Sequence, residues 1–397
     1  MDAQLTSGVV SVSSTYTAFA ALKQGGQVVT WGQADRGGVV PSGVAPHLTS
    51  GVVKIYSNEW AFAALKDDGS LHTWGYAGGG DSSAVASELL EGVVDVFTAG
   101  PYGWAALKSS GKLVVWGPAV KQHTTYGAGD ASAVSEKLES GVIKVFSTYA
   151  SFCAVKESGE VVTWGYVVAS RFGGGGDSSS VAERLRSGVI VTIVSSYAAF
   201  AALMQDGSVV TWGDTNYGNY GTRIPPDYES DLTSGVVALY STDWAFAALK
   251  DTGKVVTWGS PRYGGNPQRV KDTLASNVKS VHTNVNTFVA VTTGGTVLMW
   301  GYDGVDGYVH MGTDFDSVFW DLGKGWAFLP AVSTPSSCSS GGREHFGTSS
   351  IIIIVCVVGV VVFAVVAFLI RKLFVVTRQH RRASMPGIGE KETQESA

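Results

Sequence analysis

Residues able to do chemistry are plentiful in this chain, but their spacing points to recognition and away from catalysis. Seven histidines (positions 47, 72, 123, 282, 310, 345 and 380) are scattered, with none of the spacings that hold a metal. No Gly-x-Ser-x-Gly elbow occurs to present a nucleophile. The glycine run Phe172 to Asp177 lacks the Lys-Ser/Thr that would make it a phosphate cradle. Carboxylate pairs such as Asp67-Asp68 sit in turn sequences, where solvent and turn geometry account for them. No catalytic, cofactor-binding or metal-binding residues are therefore assigned, and the chain is not expected to be an enzyme. Aromatic residues and arginines tell a different story. Trp60 and Trp244 stand in short turns, and Tyr126, Arg171, Phe172, Tyr217, Tyr220, Arg262 and Tyr263 in longer loops. Such residues dominate binding hot spots, and loops carried on a rigid scaffold are where recognition resides.

The scaffold is a repeat. Trp-Gly recurs at Trp31, Trp74, Trp116, Trp164, Trp212, Trp258 and Trp300, at spacings of 43, 42, 48, 48, 46 and 42 residues. Around each lies one phrase, as in GVVKIYS-NEW-AFAALK-DDG-SLHTWG from Gly51 to Gly75. Three strand-forming runs are bounded by turn signals: Val52 to Ser57, Ala61 to Lys66, and Ser70 to Gly75. Tight turns such as Asp-Asp-Gly join the second and third. The second run is apolar on both faces, as expected for a sheet sandwiched between neighbours. Its Cys153 reads as a buried thiol, and the seven Trp-Gly tryptophans as core. A Ser-initiated segment such as DSSAVASELLEG (81–92) follows most Trp-Gly pairs. It fits a capped helical turn or an irregular fourth strand equally well.

Period and strand count predict an all-β fold, a seven-bladed β-propeller of ~46-residue repeats. It should span residues 1–330 and include a degenerate half-repeat at Ser317 to Leu329, whose Trp326-Ala327-Phe328 echoes Trp60-Ala61-Phe62. That half-unit is expected to complete the terminal blade beside the N-terminal strands. Up-down-up strands would then gather the first-to-second turns and the post-Trp-Gly loops on one rim. On the other rim, Lys23, Lys66, Lys108, Lys156 and Lys250 recur beside acidic residues and read as a solvated edge.

The Trp-Gly ending, the preceding "AL-x-x-x-G-x-V" and the period resemble the regulator-of-chromosome-condensation repeat. The resemblance implies a propeller in a family whose members serve nucleotide exchange, scaffolding and inhibitor binding. The family's Gly-x-x-His before the second strand is here Ser57-Asn58-Glu59-Trp60 and its equivalents, so function does not carry over with fold.

Residues 331–350 form a Ser/Gly-rich linker. Ile351 to Ile370 is twenty residues without a charge. At about 1.5 Å per residue it matches the roughly 30 Å hydrocarbon core of a bilayer and is expected to be a single transmembrane helix. The tail, 371–397, carries a net charge of +3 and leaves about −8 for the rest of the chain. An acidic main body excludes nucleic acid as a partner. Basic residues behind the apolar segment place the tail in the cytosol and the propeller outside or in a lumen, although no signal sequence opens the chain. The function expected is a membrane-anchored recognition module for a protein or glycan ligand, without cofactors. The alternative is a tail-anchored cytosolic regulator.

Overall fold

The computed structural model describes residues 3–101, 103–118, 128–166, 175–214, 224–268 and 270–302, and the backbone of three short strands at 307–309, 319–321 and 326–328. Tyr126, Arg171, Phe172, Tyr217, Tyr220 and the whole of 331–397 lie outside the described residues. No helix among the described residues is long and apolar enough to cross a membrane.

Seven antiparallel sheets follow one another along the chain, each with its three strands in sequence order. In unit two these are Val52–Ser57, Ala61–Lys66 and Leu71–Gly75, within a residue of the runs read from sequence. The arrangement is all-β and fits a seven-bladed propeller. Unit seven adds a fourth strand, Gly307–Val309, which the sequence did not signal. Phe319–Asp321 pairs antiparallel with Trp326–Phe328, so the half-repeat does form a two-stranded sheet.

Packing explains why both faces of the second strand are apolar. Six hydrophobic clusters exist among the described residues, and each bridges one successive pair of units. Between units one and two, Ala18, Ala20 and Leu22 cluster with Phe62, Ala64 and Trp74. Small alanines on one sheet make room for a stacked aromatic pair on the next, the size alternation that lets layers interdigitate. The Phe62 and Trp74 rings are 5.2 Å apart. The pair recurs as Phe200–Trp212 and Phe288–Trp300, with Trp104 replacing Phe in unit three. Cys153 is buried in such a cluster, and desolvation pushes its thiol well above the ordinary range.

Unit one corrects one expectation. Its Phe19 and Trp31 stack at 5.3 Å like the others, yet they are 43% and 36% exposed, whereas the other six Trp-Gly tryptophans are at most 4% exposed. Trp31 is therefore not core here. No sheet of the described residues seats its alanines on that aromatic face.

First strands of successive units lie alongside one another, for example Val142–Ser147 beside Ile190–Ser195. The Ser241 hydroxyl donates to the Ser195 carbonyl at 2.8 Å across that boundary in units five and six. Each first strand carries an irregularity at the same place, between Val52 and Lys54 in unit two. The bulge turns Val53 and its equivalents Val94, Ile143, Val191 and Val237 out to solvent.

Hairpin turns also bind the next unit. Val93 N–H donates to the Gly69 carbonyl at 3.0 Å, and Val142 to Gly111 at 2.9 Å. Gly69 has φ +79, and a Cβ there would lie 2.8 Å from the Gly92 nitrogen, so conformation and space both demand glycine.

The Ser-initiated segments are helical turns: Ser83–Leu89, Ser132–Leu138, and Ser179–Val181 running into Ala182–Ser187. Asp81 and Asp130 each accept the backbone N–H two residues on, at 2.9 and 3.0 Å. Hydrogen bonding from those serines holds both carboxyls below their usual range. Three of the rim lysines also reach the helical turns. Lys108 Nζ donates to the Glu88 carbonyl at 2.8 Å, Lys156 to that of Lys137 at 2.7 Å, and Lys250 to that of Ser234 at 2.7 Å. These three satisfy carbonyls left over near the ends of the helical turns while remaining partly exposed on the rim.

His47 and His72 stack face to face at 3.9 Å across the boundary between units one and two. Burial, then His47, lowers the His72 pKa to about 4. Unfolding releases that histidine to its ordinary value near 6.5, so below about pH 6.5 the unfolded chain takes up a proton that the folded one refuses. Stability should fall as pH drops from there toward 4. The thermal midpoint of the native chain should drop further between pH 7 and pH 5 than that of His72→Gln; equal drops would show that His72 carries none of the effect.

Candidate recognition surface

Strand registers fix where the loops gather. Ala61 pairs with Gly75 and Ala245 with Gly259, so each first-to-second turn and each Trp-Gly end share one rim. The turns themselves are organised by a residue the sequence reading passed over. Asn58 Oδ1 accepts the N–H groups of Trp60 and Ala61 at 2.9 and 2.8 Å, and its Nδ2 donates to Pro101 of unit three at 2.9 Å. Thr15, Thr242 and Asn284 occupy the same position and bond Ala18, Ala245 and Thr287 at 3.0, 3.0 and 2.8 Å. A polar side chain three residues before the second strand is thus the local signal for the turn, except in unit three, where Gly100 with φ +51 takes that place. Asn58→Ala leaves the buried Ala61 N–H, the part-buried Trp60 N–H and the Pro101 carbonyl short of a partner and should cost about 2 kcal/mol. Urea titration of the variant checks this, with no change in midpoint as the contrary result.

Neighbouring turns are tied tip to tip. Tyr149 N–H donates to Tyr197 O at 3.0 Å, Tyr197 N–H to Asp243 O at 2.7 Å, and Asp243 N–H to Val285 O at 2.9 Å. That linkage aligns side chains from different units into a row. Tyr149 stacks on Tyr197 at 4.5 Å, and Tyr197 on Trp244 at 4.6 Å. Trp244 leads to Tyr263 at 6.2 Å, and Tyr263 to Tyr302 at 5.8 Å, both tilted. Arg262 lies 5.4 Å from the Tyr302 ring centre. Desolvation raises the Asp243 pKa beside this row.

A smaller cluster forms on units one and two. The Arg36 guanidinium sits 4.4 Å from Trp60 and 4.6 Å from Tyr76, whose rings meet edge to face at 5.0 Å. Within the same turn region, burial raises the Glu59 pKa, and burial and Glu59 raise that of Tyr16.

Four residues expected on the rim are therefore described, in two groups: Trp244, Tyr263 and Arg262 in the long row, and Trp60 in the arginine cluster. Trp60 and Trp244 are half-buried at the rim, in contact with loop residues. Tyr149 and Tyr197 stand in first-to-second turns, as Trp60 and Trp244 do, and their continuity with Trp244 depends on which units adjoin. Tyr302 and Arg36 had no sequence signal beyond following or approaching a Trp-Gly. Among the described residues, no group of three or more His, Cys, Asp or Glu could hold a metal.

No family profile matches the chain, and no curated protein sequence matches it. Solved structures do. The CRINKLY WD40 ectodomain of the Arabidopsis thaliana receptor kinase ACR4 is 14% identical, with a TM-score of 0.36, over 75% of this chain and 98% of that one. The ectodomain of the Physcomitrella patens receptor kinase CR4 is 12% identical, with a TM-score of 0.37, over 74% of each chain. Prp20p from Saccharomyces cerevisiae is 16% identical, with a TM-score of 0.38, over 75% of this chain and 72% of that one. These scores are low, so the fold assignment rests on the strand registers and inter-unit clusters described above.

Proposed function

We propose that the seven stacked units serve as a protein-binding module, with the row Tyr149–Tyr197–Trp244–Tyr263–Tyr302 as its contact surface. The row carries this reading: five aromatic rings from units four to seven, stacked or tilted in sequence at one rim, with Arg262 at its end. Aromatic residues and arginine on a preorganised surface cost little ordering entropy when they bind. A glycan would stack on open ring faces. Here the faces of Tyr197, Trp244 and Tyr263 are engaged by their neighbours, which leaves edges and hydroxyls suited to a protein surface. The sequence further supports anchoring of this module through the apolar segment 351–370, with the propeller outside the cytosol.

Capture of partners from cell-surface and lumenal fractions tests the reading. The intact chain and a Tyr197→Ala/Arg262→Ala/Tyr302→Ala variant should have similar thermal midpoints, and only the intact chain should retain its partner. Equal retention by both would remove the row from binding. Protease protection of the propeller in sealed vesicles checks its orientation, and full digestion would favour the tail-anchored cytosolic alternative.

A further inference from the structure

Each first strand carries its bulge at the same place, and the bulged residues form a series. They are Val10, Val53, Val94, Ile143, Val191 and Val237 in units one to six, and Lys279 in unit seven. The six apolar side chains are between 47% and 63% exposed. Strand propensity does not account for the choice. The next residue along is also exposed or half-buried, and in six of the seven units it is polar, as at Lys54, Asp95 and Thr192. A position open to water yet filled six times with a β-branched apolar residue marks a surface kept for contact.

The series runs on from unit to unit. First strands lie side by side, and side chains tie them together. The Ser13 hydroxyl donates to the Ile55 carbonyl at 3.3 Å, and the Tyr56 hydroxyl donates to Asp95 at 2.7 Å. Val52 pairs with Lys66, the last residue of its second strand, so the bulges lie at the hairpin-turn ends of the sheets. The six side chains therefore make an apolar arc bordered by the turns, at the opposite ends of the sheets from the aromatic rim.

Area and charge indicate what covers the arc. Six half-exposed side chains of this size leave on the order of 500 Å² open, within the range of a monomer's largest apolar patch, which is often functional. A standard interface takes about 800 Å² from each partner, apolar at its core and polar at its edge. The arc supplies such a core and the turns such an edge. Beside the five rim lysines, the turns carry five carboxylates: Asp67, Asp68, Glu157, Asp206 and Asp251. An edge balanced in this way gains little from a strongly charged partner or an anionic bilayer surface. It suits a surface with the same balance, and a second copy related by a two-fold axis presents one.

We propose that two copies of this chain pair through the apolar arc, turn end to turn end. An arc that packs on itself about a two-fold has its midpoint on the axis, so Val94 and Ile143 of each copy fall nearest those of the other. Pairing of this kind leaves the aromatic rims of both copies uncovered, and it does not rest on the function proposed for that rim.

Sedimentation velocity of the intact chain in maltoside micelles tests this across the micromolar range. The native chain should sediment as a dimer. Val94→Asp/Ile143→Asp and Val94→Lys/Ile143→Lys should each dimerise at least about a hundredfold more weakly, because like charges then meet across the axis. An equimolar mixture of the two variants should recover mixed dimers, which a folding defect in either could not produce. A native chain that stays monomeric would overturn the proposal, and slow amide exchange at Val94 and Ile143 in that monomer would show that another segment of the chain covers the arc. Dimers that survive both variants would also overturn it and place the contact elsewhere, the apolar segment 351–370 included. Failure of the two variants to pair on mixing would be equally contrary.

Discussion

Phe246→Ala is expected to lower unfolding free energy by about 3–5 kcal/mol, the range for truncating a fully buried phenylalanine. Phe246 is fully buried in the cluster that unites units five and six, with Ala199, Ala201 and Trp258. Removing its ring takes the stacking partner from Trp258, 5.4 Å away, and leaves a void that alanines on the facing sheet are too short to fill. Phe19→Ala is the internal control. It removes the same ring from the same place in unit one, where the ring is 43% exposed and cavity formation is not at stake. Its cost should stay near 1 kcal/mol, from the stacking contribution and partial burial. Urea unfolding of the two variants measures the contrast. Similar losses would mean that unit one's aromatic face is buried in solution as thoroughly as the others, as ring closure by a further sheet would require.

Gly37→Ala should be nearly as damaging, at about 2–4 kcal/mol, through strain and overpacking together. Gly37 has φ +97, and a Cβ there would lie 2.6 Å from Phe62 Cδ2. Its carbonyl also accepts Trp74 Nε1–H at 3.1 Å. The loop from unit one thus lies directly over the aromatic pair of unit two. Unit six repeats the device: Gly264 has φ +103 with its Cβ position 2.5 Å from Phe288, and its carbonyl accepts Trp300 Nε1–H at 3.1 Å. Any methyl added there must displace a ring that has nowhere to go. A thermal midpoint within a degree or two of the native chain would contradict this.

The three strands of each unit were legible because period, alternation and turn glycines all act locally. Val52–Ser57 and Ala61–Lys66 stand where their residues alone placed them. The fate of DSSAVASELLEG was not legible. Its apolar residues suit a helical turn or an irregular strand, and the helical turn wins because Asp81 and Lys108 satisfy its two ends, the latter from a strand twenty residues away. Lysine pattern alone could not reveal this, since a cap and a solvated side chain look identical in sequence. The rim was half legible. Aromatic type and loop position singled out Trp244 and Tyr263, but the row they form needs Tyr197 from the preceding unit and Tyr302 from the next. Trp31 misled for the reverse reason: its phrase matches the others, and what differs is that no sheet of the described residues covers its face.

The proposed contact row requires that each sheet hold the next one in place, because it is assembled across unit boundaries. A double-mutant cycle across one boundary measures that directly, with Gly37→Ala in unit one and Phe62→Leu in unit two. Shrinking the ring should relieve the methyl's clash, so the double variant should be more stable than the sum of single losses by at least about 1 kcal/mol, within the range for touching residues. Strict additivity of the two losses would mean that the loop of unit one does not lie on unit two, and the stacked-sheet account would fail.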